Sequence, residues 1–175
     1  MDRISLNPHI TEIHCPQNGF FPNNEFPVLL YHEALTLPRS KEKATQYIVK
    51  LLADHGWKNA WVNGIYDFHH FHSNTHECLV MLSGNARVIL GGPNGKPADL
   101  QKGDLLVIPA GVGHRAVSCS SDFSCVGAYP VSKDYDICRG AEEEFDKAKK
   151  RIEAVGLPRQ DPLLGKEGLL HSLWR

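Results

Sequence analysis

At 175 residues the chain is long enough to bury a genuine hydrophobic core as one domain, whereas two domains would each be small, so a single domain over 1–175 is expected. Lysine plus arginine number 19 against 20 for aspartate plus glutamate, a balance that provides no strong field for nucleic acid or an anionic membrane surface. The expected partner is a small molecule, with no nucleic acid and no membrane.

The opening "MDRISLNPHI" has neither the charged start and apolar stretch of a signal peptide nor an Arg-rich amphipathic character, and no apolar run approaches bilayer length. A cytoplasmic location is the expectation. The five cysteines, Cys15, Cys78, Cys119, Cys125 and Cys138, are odd in number and contain no CxxC. They read as reduced, buried packing residues rather than as a disulfide framework or a zinc knuckle.

From Asn7 to Leu37 prolines punctuate the chain, which predicts an extended arm with one or two short strands. Ser40 then opens a helix in which Ala44, Tyr47, Ile48, Leu51, Leu52 and His55 recur at helical spacing, ending at Gly56. Arm and helix together occupy 1–56. Between about 57 and 130 short apolar runs, "AWVNGIYDF", "CLVMLSG", "ARVILGG", "DLLVIPAG" and "FSCVGAYP", are broken by turn residues. Such a pattern predicts an all-β sandwich or barrel. Asn94-Gly95 suits a type I′ hairpin turn, and "QKGD" marks a second turn. In the remaining segment, 139–175, Ala141, Phe145, Ala148, Ile152 and Val155 outline an amphipathic helix ended by Gly156 and Pro158, with a solvated charged face. The tail "DPLLGKEGLLHSLWR" is apolar enough to dock on its own barrel or on a partner subunit.

The stretch "GIYDFHHFHSNTHE" concentrates four histidines and two acids between Gly64 and Glu77. On a strand alternate side chains share a face, so His70 and His72 point one way while His69 and Phe71 point the other. After "SNT" turns the chain, His76 and Glu77 must diverge. Glu77 is the better third ligand because Leu79 and Met81 carry its parity toward a core. His76 either orients a ligand from behind, replaces Glu77 if the turn is one residue shorter, or does neither. In "GDLLVIPAGVGH" Pro109 stiffens a corner and Gly111 and Gly113 free the backbone, so that the loop aims His114 at a fixed point. The candidate metal ligands are therefore His70, His72, Glu77 and His114, with Tyr66, His76 and Met81 as residues that line the cavity or support the ligands.

These residues resemble the two signature motifs of the cupin superfamily. The first has Gly64, five residues, His70, one residue, His72, four residues, Glu77, six residues and Gly84. The second has Gly103, five residues, Pro109, one residue, Gly111, two residues and His114. Ser118 departs from the asparagine usual at its position. "NGIYDFHHFHSNTHE", "PAGVGH", "VGAYP" and "DPLLG" resemble a narrower group, the YjlB-like single-domain cupins, which has no established reaction. The resemblance implies an all-β cupin-type double-stranded β-helix, a jelly-roll barrel with an N-terminal arm and helix and a C-terminal helix.

Three neutral imidazoles and a carboxylate suit a divalent transition metal, Fe, Mn, Ni, Co or Zn, and ligand softness does not choose among them. Four protein ligands on a six-coordinate ion leave two positions, which fit two adjacent oxygens of one ligand or a substrate oxygen plus dioxygen. By analogy with metal-bearing cupins, the expected activity is that of a metal-dependent, dioxygenase-type oxidoreductase acting on a small oxygen-rich metabolite. The alternatives are a metal-dependent sugar isomerase and a non-catalytic small-molecule binding cupin. Apolar residues in the arm and tail, with the habit of cupins to pair, suggest a homodimer.

Overall fold

The computed structural model describes residues 3–130 and 134–175. The arm supplies four strands where one or two are expected: β1 (Arg3–Ile4), β2 (His9–Ile13), β3 (Val28–His32) and β4 (Leu35–Thr36). Helix α1 (Lys41–Asp54) follows, and then β5 (Lys58–Asn63), β6 (Glu77–Ser83), β7 (Asn85–Leu90), β8 (Lys96–Gln101), β9 (Leu105–Ile108), β10 (His114–Cys119) and β11 (Ser124–Tyr129). Helices α2 (Phe145–Glu153) and α3 (Leu170–Leu173) close the chain. No helix among the described residues is long and apolar enough to cross a membrane.

Two antiparallel sheets face each other, one ordered β2-β3-β9-β6-β11-β5 and the other β10-β7-β8. Strand β3 pairs with β2 on one side and β9 on the other, so the large sheet recruits proline-flanked segments from outside the 57–130 interval. Strand β6 is buried along nearly its whole length, because both of its faces are covered. Cys78, Val80 and Leu82 turn outward to Ala44, Ile48 and Leu52 of α1, while Leu79 and Met81 turn inward to Val88, Leu90 and Leu100 of the small sheet. Period-two alternation then puts Glu77 on the inward face.

Ser40 caps α1 by accepting from the Lys43 N–H at 3.3 Å, and Gly56 stops it with φ +83°, the left-handed conformation that glycine adopts without strain. The hairpin between β7 and β8 differs from expectation. Asn94 has φ 58°, but it follows Pro93 in a turn closed by Gly95 N–H to Gly92 C=O at 2.9 Å. That is a type II turn with proline at its first corner, not type I′ at Asn94-Gly95. The C-terminal amphipathic segment begins as a single 3-10 turn at Glu142–Glu144 before α2, whose charged residues are exposed.

The tail docks on its own barrel. Buried Asp161 accepts from the Tyr31 hydroxyl (2.6 Å) and Leu170 N–H (3.2 Å) through Oδ2, and from Leu163 and Leu164 N–H (2.8 and 3.0 Å) through Oδ1. Trp174 stacks on Phe26 and donates its indole N–H to the Pro27 carbonyl at 2.9 Å. All five cysteines are free, and Cys119 is exposed rather than buried.

Candidate metal centre

His70 and His72 lie in a short segment that forms isolated bridges instead of a continuous strand. His70 exchanges backbone hydrogen bonds with His114, and Phe71 exchanges them with Cys138. The alternation nevertheless holds: His70 and His72 face a cavity, whereas Phe71 is fully buried against Phe21 and Cys138. His69 is directed the same way as Phe71 and meets Phe21 edge-on.

His114 is delivered by the glycine loop. Gly111 adopts φ +89°, and its N–H donates to the His72 carbonyl at 2.8 Å. A Cβ on Gly113 would sit 2.7 Å from the Phe21 ring and 2.8 Å from the Gly92 nitrogen, so this approach requires glycine. Asn23 fastens the corner, accepting from Gly113 N–H at 3.0 Å while donating to the Pro16 and Gly91 carbonyls.

The three imidazoles share one polarity. The Nδ1–H of His70 donates to Phe68 C=O at 3.0 Å, that of His72 to Asp136 C=O at 2.5 Å and that of His114 to Val112 C=O at 3.0 Å. A neutral ring that donates from Nδ1 keeps its lone pair on Nε2, and so three lone pairs converge. The ligand atoms of His70, His72 and His114 lie within 4.8 Å of one another. Glu77 Oε2 is 3.2 Å from His72 Nε2 and 3.3 Å from His114 Nε2 and has no satisfactory hydrogen-bond partner. Two ligand atoms each about 2.1 Å from one ion are roughly 3.0–3.4 Å apart, so the spacings of Glu77 from His72 and His114 fit a shared ion, and the three histidines form a cluster compatible with a metal. The other carboxylate oxygen, Oε1, accepts from the Tyr129 hydroxyl at 3.1 Å, and that hydroxyl accepts from the Trp61 indole N–H at 2.7 Å.

Electrostatics point the same way. Burial and the neighbouring His114 hold His70 neutral, with its pKa lowered to about 3. Burial opposes charge on Glu77 and on His72, yet their mutual attraction prevails: the Glu77 carboxyl is held well below the usual range and the His72 pKa is raised. A buried carboxylate at this position needs one compensating positive charge, either a proton on His72 or a cation among the nitrogens.

The cavity in front of the cluster measures about 260 Å³. Tyr66 lines it. Met81 does not, because it packs fully buried between the sheets. His76 does not either: it lies on the opposite face, where Nδ1 accepts from Ala110 N–H at 2.9 Å and Nε2–H donates to Gly156 C=O at 3.2 Å. It braces the loop that carries His114 and touches no ligand. Tyr129, Trp61, Tyr135 and Asp136 join the site without having been singled out in the sequence. Tyr129 could have been found from β11 alone, since alternation places Cys125, Gly127 and Tyr129 on the inward face; a Cβ on Gly127 would overlap the Trp61 ring at 2.2 Å. Asp136 and Tyr135 carry no such signal. The Asp136 carboxylate accepts from Ser73 N–H at 2.6 Å and from the Ser73 hydroxyl, and Arg151 Nε–H donates to that hydroxyl at 2.6 Å, tying α2 to the residue beside His72.

A cupin-domain family model matches residues 62–126, the interval that holds all four candidate ligands. The uncharacterized protein YjlB of Bacillus subtilis (strain 168) is 39% identical over 160 residues, 91% of this chain and 93% of its own. Among solved structures, the acireductone dioxygenase from Bacillus anthracis with cadmium ion in its active center aligns over 52% of this chain at 20% identity and TM-score 0.37. That alignment spans 61% of the dioxygenase chain, under two thirds of its length. The sugar 3,4-ketoisomerase QdtA from Thermoanaerobacterium thermosaccharolyticum, in complex with TDP, aligns over 54% of this chain and 75% of its own at 22% identity and TM-score 0.41. The chain thus belongs to the cupins, related to YjlB over nearly its whole length, and carries a buried three-histidine cluster compatible with a metal ion.

Proposed function

We propose that this cupin is a metal-dependent enzyme acting on a small oxygen-rich metabolite, with dioxygenase-type oxidation as the favoured reaction. The observation that carries the reading is the convergence of the ligand atoms of His70, His72 and His114 within 4.8 Å of one another on the wall of an open cavity, with the Glu77 carboxylate beside two of them, at 3.2 and 3.3 Å. His70, His72, His114 and Glu77 would hold a divalent ion, Fe, Mn, Ni, Co or Zn, which supplies Lewis acidity, a template for adjacent oxygens and, for iron or manganese, redox chemistry.

The chain's own groups set the rest. Three backbone carbonyls fix the imidazole tautomers, the Tyr129 hydroxyl aims Glu77, and His72 and His114 keep it ionised. Burial and then Glu77 raise the Tyr129 pKa, so the hydroxyl remains a donor throughout the neutral range. Isotopic oxygen uptake by the iron-loaded chain, measured against a panel of hydroxy acids, hydroxy-ketones and enediols, tests the reading. Labelled oxygen in product supports it. Substrate proton exchange without oxygen uptake would replace it with isomerisation, and tight binding without turnover would replace it with a binding role.

Pairing of two chains is part of the proposal, although the tail that suggested it is consumed inside the fold. The remaining motive is the arm, where Leu6 and Phe20 are exposed. A monomer by light scattering at micromolar concentration would remove it.

A further inference from the structure

Beyond the histidines, the cavity wall narrows the choice of ligand. Trp61, Tyr66, Tyr129 and Tyr135 form much of it, and among the described residues no lysine or arginine lines it. Recognition of phosphate draws on guanidinium or ammonium groups. Near the rim, the Arg139 guanidinium lies 3.9 Å over the Phe68 ring, engaged there and outside the lining.

Each of two cavity-facing histidines has a tyrosine beside it. Tyr66 stands edge-on to His70 at 5.1 Å and is backed by Phe68, stacked at 4.7 Å. Tyr135 stands edge-on to His72 at 4.9 Å and is backed by Tyr129, also stacked at 4.9 Å. The two tyrosines are neighbours across the site: burial first, and then Tyr66, raise the Tyr135 pKa. Rings supported from behind offer rigid flat contact area for another ring. A volume of about 260 Å³ is at the small end for ligand pockets and suits roughly one ring.

We propose, resting on the metal-dependent reading above, that this site takes a small planar ring, aromatic or enolised, carrying two adjacent oxygens and no phosphate group. The oxygens reach the metal positions that protein ligands leave open, and the ring lies against Tyr66 and Tyr135.

Cobalt(II)-loaded protein, wild type, Tyr66→Ala and Tyr135→Ala, is titrated calorimetrically under argon with three probes. Catechol has the ring and the paired oxygens, acetohydroxamate has paired oxygens without a ring, and ribose 5-phosphate has paired hydroxyls and a phosphate. Catechol is expected to bind tightest to wild type and to weaken about tenfold in each tyrosine variant, while acetohydroxamate changes less than about twofold. Cobalt content is measured in every sample. If Tyr135→Ala disturbs the adjacent Asp136 and loses cobalt, Tyr66→Ala decides. With cobalt retained, equal losses for catechol and acetohydroxamate, or ribose 5-phosphate binding more tightly than catechol, overturn the ring proposal alone. Failure of wild type to take up cobalt overturns the metal-dependent reading, and this inference with it.

Discussion

His76 makes the fold acid-sensitive in a way that can be worked out from its surroundings. Its ring is buried and holds the 109–113 loop through Ala110 N–H while donating to Gly156 C=O. Accepting at Nδ1 requires a lone pair there, so both bonds belong to the neutral ring. Burial lowers the pKa to about 4, with the Gly156 carbonyl recovering only part of the loss. In the unfolded chain the ordinary value is about 6.5. The unfolded chain therefore binds a proton that the folded chain refuses, and this group's contribution to stability is whole above about pH 6.5 and lost as pH falls toward about 4. The full loss is about 3 kcal/mol, most of which has gone by pH 4.5. Urea unfolding of wild type and His76→Gln at about pH 7.5 and pH 4.5 measures it, because glutamine retains a donor and an acceptor but does not titrate. The stability difference between the two proteins should shift by roughly 2 to 3 kcal/mol in favour of the variant at the lower pH. Parallel losses in both proteins would refute the assignment of this acid sensitivity to His76.

Asp161→Asn replaces an oxygen that accepts from buried groups with a donor, so that either Leu163 and Leu164 N–H or Tyr31 OH and Leu170 N–H lose their acceptor. Its stability should fall by about 3 kcal/mol or more in urea unfolding, and a loss under about 1 kcal/mol would mean that the tail is not anchored there. Tyr129→Phe removes the donor to Glu77 Oε1. Metal affinity by chelator competition should weaken about tenfold, and thermal stability should fall as well, because the Trp61 indole N–H loses its acceptor.

An all-β barrel and the shared face of His70 and His72 were legible because both depend on local periodicity, whereas the jelly roll was read from the resemblance to the cupin motifs. Glu77 could be preferred over His76 from the parity of Leu79 and Met81, and the same alternation separated His70 and His72 from His69 and Phe71. Met81 shows the limit of that reasoning: parity gives the inward face, but only distance along β6 decides whether a side chain meets the cavity or the packed interior. Strand β3 was read as arm because its prolines mark the flanks, while the apolar "VLLY" between them is the part that enters the sheet. Tyr135, Asp136 and Arg151 were invisible for another reason. They reach the site through pairing of Phe71 with Cys138 and packing of α2, contacts between segments more than 60 residues apart that no local pattern encodes.

We propose that His70, His72, Glu77 and His114 hold one metal ion. Plasma mass spectrometry on tag-free protein, beside His114→Ala and Glu77→Gln variants verified as folded by thermal melting, tests it most directly. About one transition-metal ion per chain is expected in wild type and little or none in His114→Ala. Folded wild type that contains no metal even after reconstitution, or a His114→Ala protein that retains its full complement, would contradict it.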